Sequence, residues 1–572
     1  MAIESGLQSW LHALDQGRFA KWIVRGLASL VLLLLAAFWL AVKFNGFSLA
    51  EAMDQAQIGR QIATGQGYTT LYARPLAINV LAGTGRLRAP LPELSNAPLG
   101  PFLNAAAFRA SGMDFTVSGA RYVSTADLAV AGMGLALLLA SLLVAYMLGR
   151  ALFEARLALI GTGLLACTAL LWRFSTSGLP QIAMLFLFNS SLLFLVFALH
   201  ATDEGKRTRA LVCAWLAALL LGLTTLGHGI MLWTLPGLLL PVAATLRPRV
   251  TAVAGCLAAY VLPLAPWMWH NWRASGNPLG LAYFEMRRPA GMEKLAFAAD
   301  LEPDLAMHWA DFSANAATQA VTQLEDFFGF FGYNLVAPAF FLAVIFYTFN
   351  RWQAAQLRWA VLLMWAGAFA GMSVAGVEGT VSANQLHVLF LPVFVFYGLG
   401  FLLVMWQRLG FEQPLLRFIF IAVVYAAVSG PLLGTLGART LRANWPPYLP
   451  PVIQKLGEWI TPGEALGSDV PWATAWYAAR TSLLLPESVA QFELVDGERL
   501  LGAPLVAVYL TPASGGSRTY TDIVTGRYCD WARLVLREAG TLDADKWPYR
   551  HRLVLPIEGG ALLFADRPRW QK

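Results

Sequence analysis

The sequence predicts an all-α polytopic membrane protein, about eleven transmembrane helices followed by a C-terminal extracytoplasmic α/β domain. Hydrophobic residues make up 57% of its 572 residues and charged ones only 13%, against about 25% in ordinary soluble domains. Apolar runs of about 20 residues recur along it, each long enough to cross a hydrocarbon core about 30 Å thick. The 21 Trp and 16 Tyr suit anchoring belts at the two membrane interfaces.

Taken in order, the expected spans are 22–43, 126–148, 157–172, 181–199, 210–226, 229–246, 251–270, 335–350, 359–377, 387–406 and 416–438. The first lacks a small-residue cleavage site and reads as a retained anchor. Short connections at 149–156, 200–209, 246–250, 351–358 and 407–417 hold Arg150, Arg156, Lys206, Arg207, Arg209, Arg247, Arg249, Arg351, Arg358, Arg408 and Arg417. The opposite set, 172–180, 227–228 and 378–386, holds only Arg173. The basic set is therefore expected in the cytoplasm, with the N-terminus inside and the C-terminus outside.

Three long pieces then face the outer side: loops 44–125 and 271–334, and the tail 439–572. The expected division is a membrane module over 1–438 and a soluble α/β domain over 439–572. In the tail, "EALGSDVPWATAWYAARTSLLLP" reads as strand, helix opened near Pro471, and strand. "PLVAVYLT" and "HRLVLPIEGGALLFA" read as further strands. The net charge of +7 does not gather into a basic patch, so no nucleic-acid partner is expected. Cys167, Cys213 and Cys256 lie in apolar runs as small hydrophobes, and Cys529 is alone in the tail. No CxxC or HExxH metal spacing occurs.

The most informative stretch is 48–70, "SLAEAMDQAQIGRQIATGQGYTT", just after the first span. Ser48-Leu49-Ala50-Glu51 matches a capping box, and Gly65 and Gly67 stop the pattern. A helix over 49–64 is expected, with Leu49, Ala52, Met53, Ala56 and Ala63 on an apolar face lying flat on the outer membrane surface. Glu51 then has a structural job as a cap. Asp54 has none, and a carboxylate at the bilayer edge is costly to desolvate. It is either a candidate catalytic group, part of a solvated polar face, or the salt-bridge partner of Arg60 or Arg74.

This loop, with "NAPLGPFLNAAAFRASG" at 96–112, resembles the first outer loop of GT-C glycosyltransferases. The similar enzymes are bacterial relatives of the dolichyl-phosphate-mannose protein mannosyltransferases and the lipid A aminoarabinose transferase. "APWMWHNWRASGNPLG" at 265–280, "LTTLGHG" at 223–229 and "SDVPWATAWYAARTSLLLP" in the tail are similar to later family segments. The chain departs from that pattern at several positions. Gln55 stands where many relatives have Glu, Gln181 where they often have Asp, Asn96 where a His falls, His228 for Lys and His270 for Arg.

The resemblance implies transfer of a sugar from a polyprenyl-phosphate-linked donor to a glycan, lipid or protein acceptor at the outer face of a bacterial plasma membrane. A lipid phosphate leaves without much acid help, so the chemistry needs a base for the acceptor hydroxyl and groups to hold the phosphate. The candidate catalytic residues are Asp54 and Glu51, with Asp54 the base of an inverting displacement. The candidate substrate or phosphate ligands are Arg74, His228, His270, Arg273, Gln181 and Tyr68; a divalent metal is left open. Membrane lipids are the other expected partner. His387 reads as an interfacial residue, and Arg287 and Arg288 with Glu285 as a solvated loop face. The alternatives are a polymerase or ligase using diphosphate-linked oligosaccharides, which needs a basic pair in a large outer loop, and a transporter or flippase, which needs ionisable groups within spans. A membrane anchor is the third, and it leaves the first-loop pattern without a purpose.

Overall fold

The computed structural model describes residues 18–571 except 88, 119–121, 286, 290–291, 293, 411–412, 439–447, 516–519 and 539–552. The N-terminus, the first residues of the expected tail and the first two of the strand stretch at 551–565 lie outside the described residues. The helices are α1 (Arg18–Phe38), α2 (Ala50–Ala63), α3 (Pro75–Gly83), α4 (Leu99–Ala110), α5 (Thr125–Leu152), α6 (Ala155–Ala166) and α7 (Ala169–Ser175). They continue as α8 (Gln181–Asp203), α9 (Arg207–Thr225), α10 (Leu235–Thr245), α11 (Arg249–Ser275), α12 (Trp309–Glu325) and α13 (Ala339–Phe346). The last membrane helices are α14 (Trp352–Ala375), α15 (His387–Arg408) and α16 (Pro414–Gly437).

Among the described residues, eight helices are long and apolar enough to span a membrane, and nine if α6 and α7 form one bent span. All eleven expected apolar segments are helical, but three are broken or short. The chain bends by 61° between α6 and α7. There Trp172 Nε1 donates to the Ala166 carbonyl (2.8 Å), meeting a backbone group near the break. The expected span 229–246 is a 3₁₀ turn, Gly229–Thr234, running into α10. In 335–350 only α13 is helical, because Asn334 Oδ1 turns the chain by accepting from Val336 N (3.1 Å) and Pro338 caps the helix.

Helices α8 and α15 are the centre of the bundle, whereas α1 and α16 leave most of their apolar surface exposed, as lipid-facing helices do. Phe340 and Phe394 stack at 4.1 Å between α13 and α15. His387 belongs to this core and is not an interfacial residue. It is fully buried, accepts from Trp365 Nε1 at Nδ1 (3.1 Å), and bonds Gln323 Oε1 through Nε2 (3.2 Å). Burial also corrects the expected solvated face at 285–288. Arg288 is buried and pairs with Glu285 at 3.0 Å, and Arg287 is half-buried against Tyr283.

The tail forms strands where its sequence predicts them: β4 (Ala465–Ser468), β5 (Thr481–Leu484), β6 (Leu505–Leu510), β7 (Leu553–Ile557) and β8 (Ala561–Ala565). Three short strands lie in the first loop: β1 (Thr69–Thr70), β2 (Tyr72–Ala73) and β3 (Leu91–Pro92). β1 pairs antiparallel with β3. β2 joins the tail as an edge strand, giving a mixed sheet in the order β2-β5-β4-β6-β8-β7. Tyr72 pairs with Ser482 and Ala73 with Leu483, in parallel.

The expected helix at 49–64 is present as α2, but it does not lie flat on a surface. Every residue from Ala52 to Arg60 is buried, because α2 is wedged between α4 and the tail segment Pro471–Ala478. The Ser48–Glu51 capping box is absent too. Leu49, in an extended conformation, is the N-cap and has no side-chain cap, so Glu51 is the second helical residue and its carboxylate sits too early to reach back. The box is found instead at the head of α5, between Ser124 and Asp127.

Close approach of α2 and α4 depends on glycine. A Cβ on Gly59 would lie 2.7 Å from that of Asn104, and one on Gly100 would lie 2.0 Å from Gln55 Oε1. We expect Gly59→Ala to destabilise the detergent-solubilised protein by about 1–3 kcal/mol, read as a lower thermal midpoint. Gly26→Ala, with nothing within 4 Å of the added carbon, should leave the midpoint unchanged or slightly raised.

Candidate active site

Asp54 is buried in the second turn of α2, where one partner comes from its own helix and the others from chain brought in from elsewhere. Its Oδ2 accepts from Asn96 Nδ2 (2.7 Å) and pairs with Arg74 Nη2. Its Oδ1 accepts from Gln57 Nε2 (3.1 Å), whose Oε1 receives the Leu71 N–H (2.9 Å). Arg74 follows β2 directly, so pairing of that strand with the tail sheet fixes where the guanidinium enters. Its plane lies over the Tyr72 ring, 4.0 Å from the centroid.

A second carboxylate lies on the other side of Arg74. Glu93 is fully buried and meets Arg74 Nη1 at 3.5 Å. Its Oε1 accepts from Ser95 N (2.6 Å) and Asn96 N (2.8 Å), which closes the 93–96 turn over the site. Two carboxylates thus share one guanidinium, leaving one surplus negative charge that only hydrogen-bond donors offset. Burial pushes the Asp54 carboxyl up to about 6; Arg74 opposes the rise, Glu93 adds to it, and the hydrogen bonds from Asn96 and Gln57 temper it. Arg74 goes the other way. Burial disfavours its charge, but Asp54 and Glu93 outweigh that and hold it firmly cationic.

Tyr68 and His270 gather on the same turn. The Tyr68 hydroxyl donates to the Asn96 carbonyl, and its ring meets His270 edge-on at 5.2 Å and stacks on Phe102 at 6.2 Å. His270 Nε2 contacts the Glu93 carbonyl at 3.0 Å. A carbonyl can only accept, so Nε2 carries a proton and donates. Arg60 is not the partner of Asp54. It donates to the Trp476 carbonyl and lies over the Trp476 and Phe115 rings (4.4 and 4.5 Å), clamping α2 to the tail.

Of the residues singled out from sequence, the structure brings Asp54, Arg74, Tyr68 and His270 together. Gln181 and His228 instead hold the loop before α15. Gln181 Nε2 donates to the Ser382 and Ala383 carbonyls (3.2 and 2.6 Å), and His228 Nε2 bonds Asn384 Oδ1 (2.9 Å). Arg273 is exposed on α11 near Trp269 (5.9 Å). Glu51, partly buried in the first turn of α2, makes no hydrogen bond or ion pair with the cluster. Glu93, Asn96 as a donor to Asp54, and Gln57 were missed as site residues. A lone carboxylate in the proline-bounded "PELSNAP" was the available signal.

Gln55 Oε1 is buried without a hydrogen-bond partner among the described residues. That oxygen lies against Gly100 of α4. The cluster does not fit a metal centre. Arg74 fills the space between Asp54 and Glu93, and among the described residues no three His, Cys, Asp or Glu converge to hold an ion.

No protein-family model matches the chain, and no curated sequence does. Its fold, however, is shared with solved structures. The chain is similar to ArnT from Cupriavidus metallidurans bound to undecaprenyl phosphate, with a TM-score of 0.59 at 12% identity over 94% of this chain and 98% of that one. The apo form of that protein gives 0.55 at 12% identity, covering 96% and 98%. The archaeal oligosaccharyltransferase AglB from Archaeoglobus fulgidus, with an inhibitory peptide and a dolichol-phosphate, gives 0.53 at 13% identity, covering 95% of this chain and 74% of that one.

Replacing Arg74 by Gln would leave Asp54 and Glu93 buried without their cation, a loss of about 3–5 kcal/mol. The thermal midpoint should fall accordingly. Adding Asp54→Asn to that variant should recover part of the loss.

Proposed function

We propose that the chain is an integral-membrane inverting glycosyltransferase, moving a sugar from a polyprenyl-phosphate-linked donor to a glycan, lipid or protein acceptor. The single observation that carries this reading is Asp54, buried yet tuned to about 6 by a fixed set of partners. A base with that value is ionised at neutral pH and still takes a proton readily. The fold supports the donor class, since the similar structures hold undecaprenyl phosphate and dolichol-phosphate. The sugar, whether hexose or pentose, follows from neither.

In this scheme the acceptor oxygen attacks the anomeric carbon as the bond from that carbon to the phosphate oxygen breaks. The acceptor proton passes to Asp54 Oδ, and the lipid phosphate departs with the bonding pair. Arg74 and Asn96 hold Asp54 in one orientation, so no reorganisation is needed at the moment of transfer. The donor phosphate is met by His270 through Nδ1, with exposed Arg273 as the second candidate. Asp54 is thus the catalytic residue, and Glu51 has no assigned step.

The cation bias of the short connections supports an orientation with the long loops and the tail extracytoplasmic and the N-terminus cytoplasmic, in a bacterial inner membrane. The division at 438 between membrane module and tail belongs to the same proposal, with the qualification that β2 crosses it.

The purified Asp54→Asn variant should retain its fold and lose sugar transfer by a factor of about 10²–10⁴. Full activity in that variant would overturn the assignment and favour the oligosaccharide ligase alternative. Glu51→Gln should keep at least half of the activity. Because protonated Asp54 cannot accept a proton, kcat/KM should drop tenfold per pH unit below about 6 and level off above it. A flat profile from pH 5 to 8 would show that another group is the base.

A further inference from the structure

Where α2, the head of α5 and the tail meet, four side chains bring polar atoms that find no hydrogen-bond partner among the described residues. They are Asp127 Oδ1, Trp476 Nε1, Tyr477 Oη and Arg60 Nε. All four residues are buried, Asp127 completely. Buried polar groups are nearly always satisfied, so four exceptions at one junction call for a common partner.

The four act on one another without bonding. Trp476 Nε1 is close enough to bear on both the Asp127 carboxyl and the Tyr477 hydroxyl, yet it closes a hydrogen bond with neither. Arg60 lies over the Trp476 ring, and burial lowers it to about 10 while the Asp127 charge opposes the fall. It therefore stays cationic at neutral pH. Tyr477 Oη faces the end of the first span, 3.9 Å from where a Cβ on Gly46 would lie. The remaining polar atoms are committed: Asp127 Oδ2 accepts from Ser124 N (3.1 Å), and Arg60 Nη2 donates to the Trp476 carbonyl. Phe47, Phe108 and Phe115 pack around the Trp476 ring at 6.1, 5.4 and 5.8 Å, walling the junction off from bulk solvent.

Polar groups within each other's influence but beyond bonding distance are the geometry of a water-bridged contact. The inventory suits one water molecule. An indole N–H can only donate, an ionised carboxylate can only accept, and a phenol does both. Water accepts from the first, donates to the second and serves the third, and three bonds are the usual number for a buried water.

We propose that this junction is a binding site for an ordered water, held by Asp127 Oδ1, Trp476 Nε1 and Tyr477 Oη with the Arg60 cation beside it. The site extends the clamp that Arg60 makes between α2 and the tail to the head of an apolar span, α5. It stands whether or not the chain transfers sugar.

Stability measurements test it without turnover. Removing a buried hydroxyl that has no partner leaves stability unchanged or raises it, whereas removing one bound to a held water lowers it. Tyr477→Phe in the full, detergent-solubilised chain should therefore melt below the wild type. An unchanged or higher midpoint would overturn the proposal. The same substitution made in Asp127→Asn should lower the midpoint by less, because the water has already lost its anionic partner; an equal loss in both backgrounds would count against the site. A map of the wild-type chain fine enough to show ordered water needs no variant. It should place a peak within hydrogen-bond distance of Asp127 Oδ1 and Trp476 Nε1. A direct bond between those two atoms, or no peak there where other interior waters are seen, would also overturn the proposal.

Discussion

Burying Asp54 is the constraint around which the rest of the molecule is arranged. A carboxylate out of water costs several kcal/mol unless charge and hydrogen bonds are supplied with it. Here they are supplied by four separate pieces of chain: the next turn of α2, the 93–96 turn, the residue after β2, and through β2 the tail sheet. Each needs its own support. α4 must come close enough for Gly59 and Gly100 to be required, and Arg60 must hold α2 against Trp476. The site is therefore the place where the loop, the bundle and the tail meet.

The apolar segments were legible because a bilayer imposes length and composition on each stretch separately. The tail strands were legible for a similar reason: β4, β5, β6 and the β7–β8 pair are short apolar runs bounded by turn residues. Asp54 stood out because a capped helix just past a span gave it no local work. What could not be read is what depends on partners far away in sequence. Glu93 looked like one polar residue in a loop, since its significance comes from Arg74 reaching it. His387 and the Glu285 and Arg288 pair looked superficial because polarity near a span end suggests an interface, and only packing shows them enclosed. The capping box failed by a single residue, as Leu49 took the cap position.

α2 has chemically opposite surroundings along its length. At its N-terminal edge a cavity of about 480 Å³ is lined by Lys43 and Arg173 and by no carboxylate. One turn further on, two carboxylates surround a single guanidinium. The charge around this helix therefore changes sign within one turn.

The pairing of β2 with β5 carries a consequence for how the molecule is made. The tail contacts of α2 lie as many as 416 residues downstream of it, as from Arg60 to Trp476. During synthesis α2 and the Arg74 segment emerge first and wait, with the sheet edge that receives β2 still unmade. A ribosome that stops early leaves β2, and the Arg74 that follows it, without the sheet edge that seats them. Closing that edge is the work of the tail, done through two strand residues and one arginine.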